Sequence, residues 1–272
     1  MSSFSPSFPP TFPPPFLPAV VPGADVTAHR YVHVIGASVH FAEENDLGDE
    51  HAHFIGVLDG VGLWAVDVPA GQDPSDGAAL DLFTLSVRAP EAEWVAAGRA
   101  VQIAEWARTH RFCGRCGSRT EPVPNERAMR CPECRLLAFP RVAPAMITLV
   151  TKGDPGPDQQ VLLAHGVQFP MPMYSCLAGF VEPGETLEGA VVREVMEEVG
   201  VLVGNVTYRS SQPWPFPHSL MIGFRADWQA GDILCDPTEI VDAGWYTRDA
   251  LPNTPPGVSI ARRLIDEWIA EV

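Results

Sequence analysis

The chain predicts an α+β protein built from several parts, and three observations carry that prediction. Short apolar stretches broken by Gly, Pro and Asp fill residues 23–90, which is the pattern of a β-rich region. Two CxxC pairs follow directly on a helical run. The C-terminal half then alternates strand-like and helix-like segments. The length of 272 residues, with 46% hydrophobic and 19% charged residues, excludes a wholly disordered chain. No apolar run is long enough for a membrane-spanning helix. The formal charge of −16 repels phosphate at long range and opposes non-specific binding to nucleic acid or anionic membranes.

Residues 1–22 carry eight of the 28 prolines. Proline removes backbone donors and fixes φ, so a disordered tail is expected here, with a weak polyproline-type ligand as the other reading. The segment lacks a basic n-region and an uninterrupted apolar h-region, so it does not read as a secretory signal, and a cytoplasmic location is expected. Residues 23–105 are expected to form a β-rich N-terminal domain that ends in a helix. Its apolar stretches are Tyr31–Ile35, His53–Leu58, Leu63–Val68 and Leu82–Val87. Residues 91–110 place Trp94, Ala97, Val101, Ala104 and Ala107 at helical spacing. No internal repeat is visible.

Residues 106–140 form a distinct segment. Cys113 and Cys116, then Cys131 and Cys134, can bring four thiolates into one tetrahedron around Zn²⁺. Four protein ligands leave no position for water, so one structural zinc ion per chain is expected. Cys176 and Cys235 lack such a motif and read as buried thiols. From Arg99 to Arg141 there are nine Arg and four acids, a local net of +5, which leaves −21 for the remainder. The segment is therefore either a solvated arginine-rich surface or one that faces an anionic ligand.

Residues 141–272 hold the chemistry. Val142–Val150, Gln160–Ala164 and Leu220–Trp228 read as strands, with 153–158 as a turn. Residues 186–199 read as a helix starting at Thr186, and 258–272 as an amphipathic helix with Ile260, Leu264, Ile265, Trp268 and Ile269 on one side. Glu194, Glu197 and Glu198 lie at i, i+3 and i+4 and so share a helix face. Only Arg193 is near enough in sequence to compensate them, while Ala190, Val191, Val195 and Val199 supply a docking surface. Clustered carboxylates on a docked helix suit a hard divalent cation. Glu182 and Glu185 can add ligands or a base. Three prolines interleave Trp214 and Phe216 in Ser211–Ser219, which predicts a rigid extended loop whose rings stack on flat groups and whose Gln212 and Ser219 hydrogen-bond a sugar or phosphate.

Gly179, Glu185, Arg193, Glu194, Val195, Glu197, Glu198, Gly200 and Val201 fill every defined position of the Nudix box. The string SQPWPFPHS resembles the signature of the NADH pyrophosphatase (NudC-type) branch, which also carries a four-cysteine ribbon before its catalytic domain. The resemblance covers residues 90–272 well and 23–89 weakly. It implies a Nudix α/β/α sandwich around a mixed sheet over 141–272, and a homodimer.

It also implies metal-dependent hydrolysis of the diphosphate of NADH or NAD⁺ to nicotinamide mononucleotide and AMP, and removal of the NAD cap from RNA 5′ ends. Mg²⁺ or Mn²⁺ would be held by Glu194, Glu198, Glu239 and the Ala178 carbonyl, with Glu197 a further candidate as ligand or water-orienting group. Substrate contacts carried over are Phe180, Ala261 and the run Gln212, Pro213, Trp214, Pro215, Phe216, Pro217, His218 and Ser219. Arg88, Glu126 and Phe139 match contacts from outside the catalytic domain. At 139 some members have Tyr, so stacking survives here without the hydroxyl donor. The other readings are a Nudix hydrolase of another nucleoside diphosphate derivative such as ADP-ribose, and a non-catalytic zinc-ribbon RNA-binding protein.

Overall fold

The computed structural model describes residues 16–48, 52–69, 71–72 and 79–271, and the chain divides into two compact units, Met1–Arg141 and Val142–Val272. In the first unit the strands are β1 (Phe16–Pro18), β2 (His29–Ile35), β3 (Ser38–Ala42), β4 (Ala52–Leu58), β5 (Val61–Asp67) and β6 (Leu80–Asp81). Helices α1 (Leu82–Arg88) and α2 (Glu91–Thr109) follow. The sheet order is β1-β4-β5-β2-β3-β6, with β2 and β5 parallel and the other neighbours antiparallel. Helix α2 lies on this sheet through Ala96, Ala97, Ala100 and Ala104, all fully buried. Small side chains let the helix backbone sit close to the strands.

Two expectations change here. Most of the tail, residues 1–15, falls outside the described residues, but Phe16–Pro18 is an edge strand paired to β4, with the Phe16 ring in the core. An edge position tolerates Pro18 because no partner needs its missing N–H. Leu82–Val87, read among the β-type stretches, is helical: the Asp81 carboxylate accepts from the Thr84 N–H at 2.9 Å and the Thr84 hydroxyl at 2.6 Å and so caps α1. Helix α2, Glu91–Thr109, matches the helix expected over 91–110. The ribbon then adds a small antiparallel sheet, β7 (Glu121–Pro122), β8 (Met129–Arg130) and β9 (Leu137–Ala138).

The second unit contains β10 (Ala143–Lys152), β11 (Gln160–Gly166), β12 (Leu177–Phe180), α3 (Leu187–Val199), β13 (Leu202–Trp214), β14 (Ser219–Ala230), β15 (Ile240–Tyr246) and α4 (Ile260–Ile269). Its sheet order is β13-β14-β10-β11-β15, with β12 also paired to β10. Strands β10 and β14 are parallel and the rest antiparallel, so the sheet is mixed as expected. Alternation along β10 builds both faces. Met146 and Val150 pack in one cluster with Val191, Val195 and Val199 of α3, while Ile147 and Leu149 pack in the other with Leu264, Ile265 and Trp268 of α4. A strand buried on both sides reads as a continuous apolar run, which is how β10 appears in the sequence. The result is the α/β/α sandwich.

The absence of a repeat in the sequence is misleading. The order β4-β5-β2-β3-β6 has the same pairing senses as β13-β14-β10-β11-β15. Repetition at the level of strand pairing leaves no trace in residue identity, because pairing needs only compatible hydrophobic alternation.

Candidate metal centre and substrate strand

Helix α3 starts and stops where local chemistry dictates. The Thr186 side chain accepts from the Gly189 N–H at 3.1 Å, and Gly200 takes a left-handed conformation (φ 70°) that returns its N–H to the Met196 carbonyl. Between these caps the apolar face docks on the sheet, and Glu194, Glu197 and Glu198 are presented along one side. Gly179 of β12 faces them. A methyl group placed there would lie 2.0 Å from the Glu194 carboxyl carbon, so only glycine lets that carboxylate rest against the strand.

Arg193 organises the acids. Its guanidinium donates to both Glu185 oxygens (2.8 and 2.9 Å), to Glu194 (2.8 Å), to Glu197 (2.9 Å) and to the Phe180 carbonyl (3.0 Å). This pairing holds the Glu185 carboxyl down at about 2. A planar fork is needed to reach so many acceptors at once.

Glu198 sits differently. It is buried, and its Oε2 has no hydrogen-bond partner. Burial first, then the nearby charges of Glu194 and Glu239, pushes its carboxyl up to about 8. Burial likewise raises Glu194, against the opposing pull of Arg193. An orphaned buried carboxylate oxygen next to two further acids fits a bound cation, which Glu194, Glu198 and Glu239 could hold.

Glu239 reaches this site through a turn the sequence did not advertise. The Leu234 and Asp236 N–H groups donate to the last α3 carbonyls, those of Val199 and Glu198, both at 2.9 Å. The Asp236 carboxylate then accepts from the Thr238 N–H and hydroxyl at 2.8 and 2.7 Å. This Asx-type turn hangs Glu239 from the C-terminus of the carboxylate helix. The Asp236-x-Thr238 spacing is the signal that would have revealed Asp236. Ala178 lies in β12 opposite Ile147, one residue before Gly179.

The aromatic–proline segment is less a loop than a strand and a turn. Residues through Trp214 belong to β13, and Trp214 pairs with Ser219 across a four-residue turn. Pro213 is accommodated because β13 is an edge strand. The Trp214 and Phe216 rings lie 5.1 Å apart at 59°. Gln212 bonds the backbone of the chain itself. It is buried, donating to the Val258 carbonyl at 2.7 Å and accepting from the Ile260 N–H at 2.8 Å, so its amide clamps the start of α4.

Ser219 and Pro215 are buried, whereas Pro217 is exposed and His218 half-buried. The His218 carbonyl accepts from Ala143. Ala261 is buried in the first turn of α4, its carbonyl facing the Cys176 thiol at 3.8 Å. That seclusion pushes the Cys176 thiol up to about 12, consistent with a buried, unreactive cysteine. Phe180 is 56% exposed, a free ring face beside the carboxylates. Arg88, Glu126 and Phe139 belong to the first unit and are all exposed there.

The ribbon thiols of Cys113, Cys116, Cys131 and Cys134 all lie within 4.8 Å of one another. They form the one such ligand group among the described residues. Zinc–sulfur bonds of about 2.3 Å in a tetrahedron require sulfurs roughly this close, so the donor set fits zinc. Hydrogen bonding with the Ser118 hydroxyl and then its backbone, with smaller contributions from the neighbouring thiols, draws the Cys116 thiol down to about 6. The thiolate is the form that binds metal.

Similarity to known proteins agrees with this geometry. The NUDIX domain model matches residues 142–268, the NADH pyrophosphatase zinc ribbon domain matches 108–139, and the NADH pyrophosphatase-like rudimentary NUDIX domain matches 18–106. A protein of Pseudomonas fluorescens (strain Pf0-1) named NAD-capped RNA hydrolase NudC is 43% identical over 228 residues, covering 84% of this chain and 81% of that one. The chain belongs to the NADH pyrophosphatase branch of the Nudix hydrolases. Proteins of the same name from Deinococcus radiodurans and Pseudomonas aeruginosa PAO1 are 50% and 54% identical. Those alignments take in 66% and 64% of this chain but 64% and 60% of the relatives, a little under two thirds of their length. The rudimentary Nudix match falls on the first unit, where the strand order of the catalytic sheet recurs. Among the described residues no helix is long and apolar enough to cross a membrane.

Proposed function

We propose that this Nudix protein hydrolyses the diphosphate of NADH and NAD⁺ to nicotinamide mononucleotide and AMP, and removes NAD from the 5′ end of capped RNA. The observation that carries the reading is the buried, partnerless Glu198 oxygen between Glu194 and Glu239, in a chain 43% identical over most of its length to a protein named NAD-capped RNA hydrolase NudC. Glu194, Glu198, Glu239 and the Ala178 carbonyl would hold Mg²⁺ or Mn²⁺. Such an ion neutralises the diphosphate and lowers the pKa of the attacking water.

The chain's own groups do the rest. Arg193 fixes Glu185 and the Phe180 carbonyl, so the strand and the helix keep their spacing during turnover. Glu197, paired with Arg193 but 59% exposed at its side chain, and Glu182, exposed before α3, are the acids open to water that can take its proton. Phe180, Trp214 and Phe216 offer ring faces for the nicotinamide or adenine. Gln212 and Ala261 support the site by holding α4, and Arg88, Glu126 and Phe139 are further substrate contacts. The same bond cleavage on capped RNA leaves a 5′-monophosphate on the transcript. A homodimer in the cytoplasm completes the reading, since a reducing compartment keeps the ribbon thiols available for zinc.

Product analysis after incubation with NADH, NAD⁺, ADP-ribose and NAD-capped RNA, each with Mg²⁺ or Mn²⁺, tests this. Mononucleotide plus AMP from NADH is the expected result. Turnover of ADP-ribose with neither nicotinamide substrate cleaved would keep the Nudix chemistry and remove the specificity.

A further inference from the structure

The first unit contains a cleft of about 370 Å³ between the end of α2, the sheet and the ribbon. Its walls include Asp67, Arg108, Arg111, Arg119, Pro122 and Met129. Asp67 is the buried anchor, its side chain 11% exposed. Its two oxygens face the Arg108 and Arg111 guanidiniums at 3.2 and 3.8 Å. Arg108 is also paired with Glu105. Arg111 keeps most of its donors unspent, and Arg119 has no carboxylate partner among the described residues. Backbone pairing fixes where the last two stand. The Thr120 N–H donates to the Arg111 carbonyl and the Cys113 N–H to the Ser118 carbonyl, so Arg111 and Arg119 sit on the two legs of the first cysteine knuckle.

We infer that this cleft is a seat for a nucleotide phosphate, filled by a phosphodiester of the RNA body when the substrate is a capped transcript. A carboxylate that orients two guanidiniums preorganises them, and the planar fork of Arg matches phosphate oxygens bidentately. The apolar wall of Pro122 and Met129 gives a ribose or base somewhere to rest. The volume suits one nucleotide. Most of the cleft's lining belongs to residues 99–141, a stretch of net charge +5 in a chain of −16. Long-range repulsion therefore makes a local guanidinium cluster necessary for any polyanion to be held. The choice of RNA as occupant rests on the proposed cap hydrolysis, whereas the phosphate chemistry does not.

The test is direct binding rather than turnover, so it stands apart from the proposed activity. A fluorescent ten-nucleotide RNA with a 5′-hydroxyl is titrated with the zinc-loaded full chain at several salt concentrations. The same is done with Arg119→Gln and with Arg111→Gln/Arg119→Gln. AMP and inorganic phosphate serve as competitors, and zinc content and thermal unfolding confirm folding. Each lost arginine should weaken RNA binding roughly fivefold and lower the salt slope by about 0.7. Displacement of the RNA by AMP and by inorganic phosphate is also expected, whereas no RNA binding by the native protein would overturn the proposal. RNA affinity and salt slope unchanged in the folded Arg119→Gln variant, with no competition by AMP or phosphate, would overturn the proposal.

Discussion

The two units share a framework and differ in what interrupts it. In each, a hairpin (β2–β3 or β10–β11) meets a second hairpin (β4–β5 or β13–β14) through a central parallel pair. A last strand (β6 or β15) then adds to the first hairpin, and a C-terminal helix covers the corresponding three strands. Helix α2 lies on β2, β4 and β5, and α4 on β10, β13 and β14. Between the second and third strands of this framework the first unit has only residues 43–51, part of them outside the described residues. The second unit places β12 and α3 there, and with them Gly179, Glu185, Arg193, Glu194 and Glu198. The shared sheet is thus a scaffold, and the inserted strand and helix carry the candidate metal site.

The comparison breaks first at Arg193, which has no counterpart in the framework of the first unit. Arg193→Gln strands Glu185, Glu194 and Glu197 without their cation and shifts β12 against α3. Turnover of NADH should fall about 100-fold, as expected when reacting groups move by an ångström. Steady-state kinetics with folding verified by circular dichroism would check this.

Core deletions come next. Leu63→Ala in β5 removes a fully buried side chain and should cost about 2–5 kcal/mol of stability while kcat per folded molecule stays unchanged. Val195→Ala on the docked face of α3 should cost about 2 kcal/mol and lower kcat as well, because the same helix carries the ligands. Equal kinetic effects of the two would erase the distinction between scaffold and insertion.

Gln212→Ala sharpens the account within the second unit. It leaves the buried Ile260 N–H and Val258 carbonyl without partners, so stability should drop by about 1–3 kcal/mol in thermal unfolding. A rise in KM for NADH with stability untouched would instead assign the amide to substrate. The smallest effect is expected in the ribbon. Replacing Arg115, Arg119 and Arg130 by Gln should lower kcat/KM for capped RNA by at least about fivefold at low salt, and that for NADH less. Equal losses on both substrates would detach the ribbon from RNA handling.

The catalytic half was largely legible in the sequence because its signals are local. Thr186 and Gly200 bracket α3, the i, i+3, i+4 acids share a face by helical geometry, and the CxxC pairs carry their own spacing rule. What was hidden depends on distant partners. The repeat of strand order is a property of pairing between segments far apart in the chain. Gln212 is turned inward by the backbone of 258–260, which no local pattern announces. The Asp236 turn matters only because it meets the end of α3. Leu82–Val87 could have been recognised as helical from the Asp81 and Thr84 spacing, but its apolar run matched the β-type stretches around it.

The central claim is that the buried carboxylate of Glu198 is kept for metal at the expense of the metal-free fold. Its folded-state pKa near 8 stands above the ordinary 4.5. Between those values the unfolded chain is charged while the native state retains the proton, so metal-free stability should decline as pH rises from about 4.5 to 8. The decisive measurement pairs thermal unfolding in EDTA at pH 5 and pH 8 with NADH turnover in Mg²⁺, for the native protein and Glu198→Gln. The account predicts that Glu198→Gln loses about 1,000-fold in kcat yet unfolds at a higher temperature than the native protein at pH 8. Retained turnover, or a lower unfolding temperature at pH 8, would contradict it.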